Sequence, residues 1–450
     1  MTHPVESAPP TREVDPREVR RIAFSAFIGT ALEWYDFFLF GTASALVFQH
    51  VYFSGSSPIV ATMASFATFG VGFLARPLGG VLFGAMGDRW GRKPTLIVSI
   101  VAIGLATGLV GCLPTSASIG LAAPILLTCL RLLQGVAVGG EWGGATTLAL
   151  EHAPPEKRGR YAALVQIGSP AGTLLSSGAF ALVFLLPDAS VDSWGWRLPF
   201  LAAFPFLGIA LWIRLQVEES PVFQQAEREA EGGGEGEAAR GSFVDLFRHH
   251  GVKVLWASCA SLVGIGGFFV MSTYALSYGT SVLGIERQSM VNATVIAAVG
   301  QILINVGFGR LAEKIGAHRV VIGGGLASAI LAWPLWILMD TANIVAITVA
   351  IVLGLAVVTI SYSVVGVLIT HMFPSRVRYM GMAISVNIAG AISGLLPFIA
   401  TWLNSFYEEQ SSTPAILILV VISLVTVLGG YFGSRHHTED EVLVTEKPAA

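Results

Sequence analysis

Charge is scarce in this chain of 450 residues: Asp, Glu, Lys and Arg together make up 12%, against 54% hydrophobic residues and a mean hydropathy of +0.70. Soluble domains carry about twice that charged fraction, so a soluble globular protein is excluded and a polytopic membrane protein is expected. Cysteine is scarcer still. Cys112, Cys129 and Cys259 lie in apolar stretches without metal-ligand spacing, which excludes a disulfide framework and a zinc site. Catalytic signatures are missing as well: there is no HExxH, no Ser-His-Asp set on facing helices and no GxxxxGKS or GxxxxGKT for nucleotide-driven transport, and His371 is a lone histidine near the end of an apolar stretch. A membrane-embedded enzyme is therefore disfavoured, and no cofactor, metal or nucleic-acid partner is expected. The first 21 residues hold Glu6, Glu13, Asp15, Glu18 and four arginines but no apolar core. No cleavable signal peptide is expected there, and the first span must itself direct insertion.

What the chain does have is apolar length. Twelve stretches reach the roughly 20 residues that a bilayer requires: Ile22–Phe48, Ile59–Met86, Thr95–Leu113, Leu121–Leu150, Tyr161–Leu186, Leu198–Leu215, Val252–Thr280, Ser289–Gly309, Val320–Met339, Ile344–Thr370, Gly381–Leu403 and Ala415–Phe432. The expected fold is an all-α polytopic membrane protein with twelve transmembrane helices. Between the sixth and seventh stretches lies the one long polar segment, whose centre EREAEGGGEGEAARG is a Glu/Gly-rich linker unable to form a core. This divides the chain into a six-span half at 1–217, a cytoplasmic linker at 218–251 and a second six-span half at 252–450. With the N-terminus inside, 22 of the 26 Lys and Arg fall on cytoplasmic segments and only Arg197 and Arg287 fall outside. That asymmetry places both termini in the cytoplasm.

One segment is repeated. GAMGDRWGRK at Gly84–Lys93 is echoed at fixed offset by GRLAEKIGAH at Gly309–His318, so that Asp88 meets Glu313, Arg89 meets Lys314 and Gly91 meets Gly316. Each copy reads as the end of an apolar helix, an acid and a base, a glycine turn and a new helix.

Charges inside the spans are few and confined to the first half. Glu33, Asp36, Arg76, Arg131 and Glu141 are the only ones well inside, on the first, second and fourth spans. An unpaired charge in hydrocarbon costs about 2.5–3.5 kcal/mol on insertion scales, so such residues face a bundle interior and mark either a pathway or a structural ion-pair cluster. On the fourth span Arg131, Gln134, Val138 and Glu141 share one helical stripe, and Glu33 and Asp36 share a face of the first. Arg76 lies 12 residues before Asp88, about 18 Å up the same helix, hence near mid-membrane. An acid that gains and loses contact with Arg131 as helices move would bind and release a proton. The dense glycines of GFLARPLGGVLFGAMG and GVAVGGEWGGA predict close packing of the second and fourth spans. The second half offers only neutral polar groups within its spans, of which Tyr274, Gln301 and Asn387 are candidate substrate contacts.

These residues together resemble a known group. Twelve spans with GDRWGRK between the second and third, and RLLQG at Arg131–Gly135, resemble the major facilitator superfamily. EWYDF at Glu33–Phe37, ARPLGG at Ala75–Gly80, GGEWGG at Gly139–Gly144, WGWRLPF at Trp194–Phe200 and ESPVF at Glu219–Phe223 resemble its metabolite:proton symporter family, whose bacterial members carry carboxylates, shikimate, or proline and betaine with protons. The resemblance implies protonation at Asp36, assisted by Glu33, with Arg131 as partner. It implies a cytoplasmic gate from Asp88, Arg89, Arg92, Glu151 and Arg158, with Glu313 in the second copy, where Ala317 replaces the expected arginine and weakens the latch. The short polar tail after the last span argues against osmosensing.

The expected function is proton-coupled symport of a small organic acid by alternating access in the bacterial inner membrane, by a monomer whose partners are lipid, substrate and protons. Arg76 or Arg131 would anchor the carboxylate, with Gln134 and Glu141 in the same cavity. The three acids leave a zwitterion such as proline or betaine as the alternative, and a receptor as a more distant one.

Overall fold

The structure is a computed structural model and describes residues 16–90, 92–139, 166–215, 243–374 and 377–435. The described residues are almost wholly helical. We number the principal helical segments α1 (Pro16–Leu46), α2 (Pro58–Trp90), α3 (Arg92–Cys112), α4 (Ala122–Val138), α5 (Gly168–Val183), α6 (Asp188–Trp212), α7 (Leu246–Ser281), α8 (Arg287–Ile315), α9 (Ala317–Asp340), α10 (Ile344–Met372), α11 (Arg378–Asn404) and α12 (Thr413–Gly433); among the described residues eight of them, α2 and α6 to α12, are long and apolar enough to cross a membrane. Each falls on one of the twelve apolar stretches. Hydrocarbon offers no partner for backbone N–H and C=O groups, so apolar runs of this length must satisfy them within the helix. The outward faces are correspondingly apolar, as with the exposed Leu78, Leu182, Leu303 and Ile330.

The first copy of the repeated segment ends α2 as expected: GAMGDRW is helix through to Trp90, so Asp88 and Arg89 ride on its last turn. In the second copy α8 likewise carries Glu313 and Lys314 before Gly316 turns the chain at φ +91°, a backbone region open to glycine. One boundary differs from the expectation: the helix that enters α7 already starts at Phe243, three residues before the span and within the stretch read as linker, because FVDLFRHH is an adequate helix former despite its charge.

Short connections make successive helices antiparallel, so the bundle has a latch end, where α2 meets α3, and a far end, where α1 meets α2. Within the first half α1 packs on α5, and α2 on α4; within the second, α9 packs on α10 and α12, and α7 on α11 and α12. The halves meet along two seams, α2 against α11 and α5 against α8.

The α2–α4 crossing is backbone on backbone. A Cβ at Gly79 would sit 1.9 Å from the Val136 carbonyl oxygen, one at Gly135 2.0 Å from that of Gly72, and one at Gly139 2.0 Å from that of Arg76. The expected glycine packing is thus realised, and it brings the backbones bearing Arg76 and Arg131 together. In α7 two π-turns, Val263–Gly267 and Val270–Tyr274, interrupt the α-helix at mid-length. Such turns widen a helix by one residue and recur at functional sites. Nothing in the periodicity of an all-apolar run announces them.

Candidate functional site

The first half encloses a polar cluster between α1, α2, α3 and α4. Its centre is Asp36, buried on α1, whose Oδ1 accepts from Gln134 Nε2 at 3.0 Å and is in hydrogen-bond contact with the Thr107 hydroxyl. Asp36 Oδ2 has no hydrogen-bond partner and stands 4.0 Å from Arg131 Nη1. Arg131 is completely buried; it donates through Nε to the Phe69 carbonyl at 3.4 Å and through Nη1 to Gln134 Oε1 at 3.2 Å. The rings of Phe37 and Phe40 lie 4.8 and 4.3 Å from its guanidinium carbon, so aromatic faces replace water around the cation. Arg131 only donates, which fixes the orientation of Gln134: oxygen towards the arginine, nitrogen towards Asp36 and, at 2.9 Å, Thr107.

Thr107 gives the cluster two settings. Its one hydroxyl hydrogen reaches either Asp36 Oδ1 or the Ile103 carbonyl, 2.8 Å away. With Asp36 ionised the hydroxyl donates to it; with Asp36 protonated the acid donates to Thr107, which turns to Ile103. The partners of Oδ1 suit both forms of the acid. A lone threonine in an apolar helix gave no sequence signal strong enough to single it out.

Arg76 forms a second pair at similar separation. Its Nη2 lies 3.9 Å from Glu33 Oε1, and its guanidinium covers Phe37 at 4.0 Å and Phe73 at 4.6 Å. Its Nε and Nη2 make no hydrogen bond. The side chain points to the α2–α11 seam, where a Cβ on Gly390 would lie 3.9 Å from Nη1.

A small cavity of about 10 Å³, room for roughly one water, lies on the interface between the halves. From the first half Trp34, Phe38, Ser169 and Pro170 line it; from the second come Gly264 and Phe268 at the π-turns of α7, Gln301 and Asn305 of α8, and Thr359 and Tyr362 of α10. The Trp34 ring packs edge-on against Phe37, which also carries Arg76, so the charged cluster lies one ring behind the cavity wall. The halves touch at both ends of the cavity. Towards the far end Phe38 stacks on Phe268 with 4.4 Å between centroids, and Arg287 pairs with Asp192 at 2.8 Å; towards the latch end Gln166 donates to the Tyr362 carbonyl at 3.2 Å and Asn387 to that of Gly139 at 3.4 Å.

Against the expected site, the structure gathers Asp36, Arg131 and Gln134 in one cluster, with Arg76 and Glu33 beside it, and puts Gln301 on the cavity. Tyr274 is elsewhere: it bonds Asn404 at 3.3 Å and stacks with Tyr278, inside the second half. Asn387 bridges the halves instead of lining the cavity. Glu141, Glu151 and Arg158, and the side chains of Asp88, Arg89 and Arg92, lie outside the described residues. Trp34 and Phe38 were visible only as rings flanking Glu33 and Asp36, and Asn305, Thr359 and Tyr362 only as neutral polar groups in apolar spans, a weak signal because such groups also serve packing.

A seam that holds a polar cavity between two six-helix halves, in a bundle dressed for lipid, is the arrangement of a membrane transporter. The comparisons narrow this. Residues 22–439 match the Sugar (and other) transporter family, and the chain belongs to it, within the major facilitator superfamily. It is 37% identical to the shikimate transporter of Escherichia coli (strain K12), over 91% of this chain and 94% of the relative. It is 33% identical to the proline/betaine transporter of Salmonella typhimurium, over 97% and 87%. Among solved structures the D-xylose-proton symporter superposes with a TM-score of 0.71 at 20% identity, covering 94% of this chain and 98% of that one. That likeness shows the shared fold.

Proposed function

We propose that this transporter carries a small organic acid across the bacterial inner membrane together with protons that bind at Asp36, its two halves rocking so that the cavity opens to each side in turn. The carrying observation is the shell of Asp36. One carboxylate oxygen is held by two neutral partners that suit either protonation state, while the other faces Arg131 at 4.0 Å without a hydrogen bond. A structural ion pair would close to hydrogen-bonding distance, about 2.7–2.9 Å, and would resist protonation. This one stays open to a proton.

Arg76 is the better anchor for a substrate carboxylate. Arg131 is sealed behind phenylalanines and engaged by Gln134 and Phe69, with only Nη2 unbonded, whereas Arg76 keeps Nε and Nη2 unbonded and points to the seam between halves. Glu33 holds the arginine when no anion is present. Asp88, Arg89, Arg92, Glu151, Arg158 and Glu313 form the cytoplasmic gate, at the latch end, with both termini on that side. A zwitterionic solute is the second reading, favoured by the aromatic rings of Trp34, Phe38 and Tyr362 at the cavity, which suit a cationic group.

Proteoliposomes test the proposal. An inward proton gradient should drive accumulation of a labelled carboxylate, and Asp36→Asn should abolish accumulation while sparing solute exchange. Accumulation that follows sodium, or that survives in Asp36→Asn, overturns it.

A further inference from the structure

The wall of the cavity contributed by α8 carries an unusually definite hydrogen-bonding instruction. Gln301 donates through Nε2 to the Thr359 hydroxyl at 2.7 Å, and that hydroxyl donates its single hydrogen to the Leu355 carbonyl at 2.6 Å. Thr359 can therefore only accept from Gln301, which fixes the amide with its nitrogen towards α10 and leaves Oε1 for other contacts. One turn further on, Asn305 donates through Nδ2 to the Gln301 carbonyl at 3.0 Å, a group that can only accept. Its Oδ1 is thereby fixed as the open atom too. Both oxygens are buried and unbonded, on side chains 3% and 0% exposed.

Two fixed acceptors on one wall ask for donors. A carboxylate set against them would meet lone pair with lone pair, and a fully methylated ammonium has no hydrogen to give; a hydroxyl or an N–H satisfies them. Buried Trp34 on the opposite wall has the reverse character, with an indole N–H that lacks a partner. We infer that Gln301 and Asn305 determine which solutes this transporter accepts: small carboxylates whose far side carries hydroxyl or N–H donors, to the exclusion of quaternary betaines. This rests on the small-carboxylate reading above and sharpens it. The carboxylate faces the Trp34 and Arg76 side, and the donor-bearing side faces α8.

Two matched pairs of probes make the test. One is shikimate against cyclohexene-1-carboxylate, the same ring without hydroxyls; the other is proline against N,N-dimethylproline. Each is measured for the rise in melting temperature of the purified full-length protein and, in proteoliposomes, for uptake with protons. In at least one pair the donor-bearing member should bind about 10–100-fold more tightly than its partner, the penalty expected when buried acceptors lose their hydrogens. Gln301→Met and Asn305→Leu should each shrink that ratio about tenfold, and Thr359→Val, which frees Gln301 to turn over, should shrink it while keeping both amides. The melting temperature of each variant without ligand separates lost selectivity from lost folding, and the probe-pair ratio of native protein decides the matter if a variant does not fold. Equal binding within both pairs, or tighter binding of N,N-dimethylproline, overturns the inference; if that probe is also carried with protons, the symport reading stands alone. Donor selectivity without proton movement sinks the symport reading and spares this one. No binding by any of the four removes both the carboxylate reading and the inference.

Discussion

The two halves share a helical plan and differ in what they bury. In the first half the buried side chains include Glu33, Asp36, Arg76 and Arg131; in the second, among the described residues, no Asp, Glu, Lys or Arg is buried, and the interior polar groups are amides and hydroxyls such as Gln301, Asn305, Thr359 and Asn387. Both halves have close helix crossings, α2 on α4 in the first and, in the second, α7 on α12, where a Cβ at Gly429 would lie 2.3 Å from the Ala260 backbone nitrogen; the cavity-lining α8 is looser, with nothing nearer a Cβ at Gly300 than Val352 at 3.9 Å. Charge buried in a membrane needs a rigid surround, since relaxation would expose it to lipid or strand it without its partner. A neutral hydrogen-bonding wall can afford adjustable packing. In the proposed mechanism, protons and the substrate carboxylate meet the charged first half, and the donor-bearing side of the solute meets the neutral second half.

The sharpest way to break that contrast is at the glycines. Gly135→Leu should prevent stable assembly of the first half, because the side chain would enter the Gly72 backbone; overpacking of this kind costs about 1–3 kcal/mol or more. Gly300→Ala in the second half should fold and transport as the native protein does. Melting temperature and yield of monodisperse protein in detergent give the comparison directly, and comparable losses at both positions would show that the α8 wall is no looser than the α2–α4 crossing.

A smaller effect is expected at the Asp36 shell. Thr107→Val removes the hydroxyl that serves both protonation states, at about 1–2 kcal/mol, or roughly tenfold in proton-driven uptake. Thr107→Ser should restore most of it. Solute exchange at equal pH on both sides should change little in either variant, which distinguishes damage to proton handling from damage to the cavity.

At the latch end, Asp88→Asn should increase labelling of a cysteine placed in the cavity from the cytoplasmic side, by a few-fold. Asp88 lies at the C-terminal end of α2, where the helix dipole disfavours an anion, so in the proposed gate it would act through a basic partner. Unchanged labelling would count against the gate.

The smallest effect belongs to the far end, where Asp192 and Arg287 join the halves while partly exposed. Exposed pairs contribute about 0.2–1 kcal/mol. Asp192→Asn should therefore shift exchange rates by less than fivefold, with the charge swap Asp192→Arg plus Arg287→Asp returning towards native. A larger loss that the swap does not rescue would mean that Asp192 acts by some route other than this pair.

Much of this organisation is legible without coordinates because hydrocarbon is an unforgiving solvent. It forces apolar runs into helices, makes every intramembrane charge conspicuous, and confines lysine and arginine to one side of the expected topology. Twelve apolar stretches, the shared face of Arg131 and Gln134, and the glycine contact of α2 with α4 followed from residue type and helical spacing, while the pairing of Asp36 with Arg131 came from the family resemblance. The start at Phe243 of the helix that enters α7 did not follow, since FVDLFRHH, charged and next to a Glu/Gly-rich run, reads equally well as linker or as first helical turns.

What only the tertiary structure decided is which neutral polar groups meet. Gln301, Tyr274 and Asn387 have the same standing in the sequence, as single polar residues in apolar helices, yet one lines the cavity, one bonds within its own half and one ties the halves together. Periodicity assigns a residue to a face of its helix but not the helix to its neighbours, and the π-turns of α7 shift the register on which even that assignment rests. The open oxygens of Gln301 and Asn305 depend on a further layer, the donor and acceptor bookkeeping of Thr359 and of a carbonyl one turn away. Apolar burial is set by composition and can be read along the chain; a hydrogen bond is set by two directions in space, and it exists only once the helices are placed.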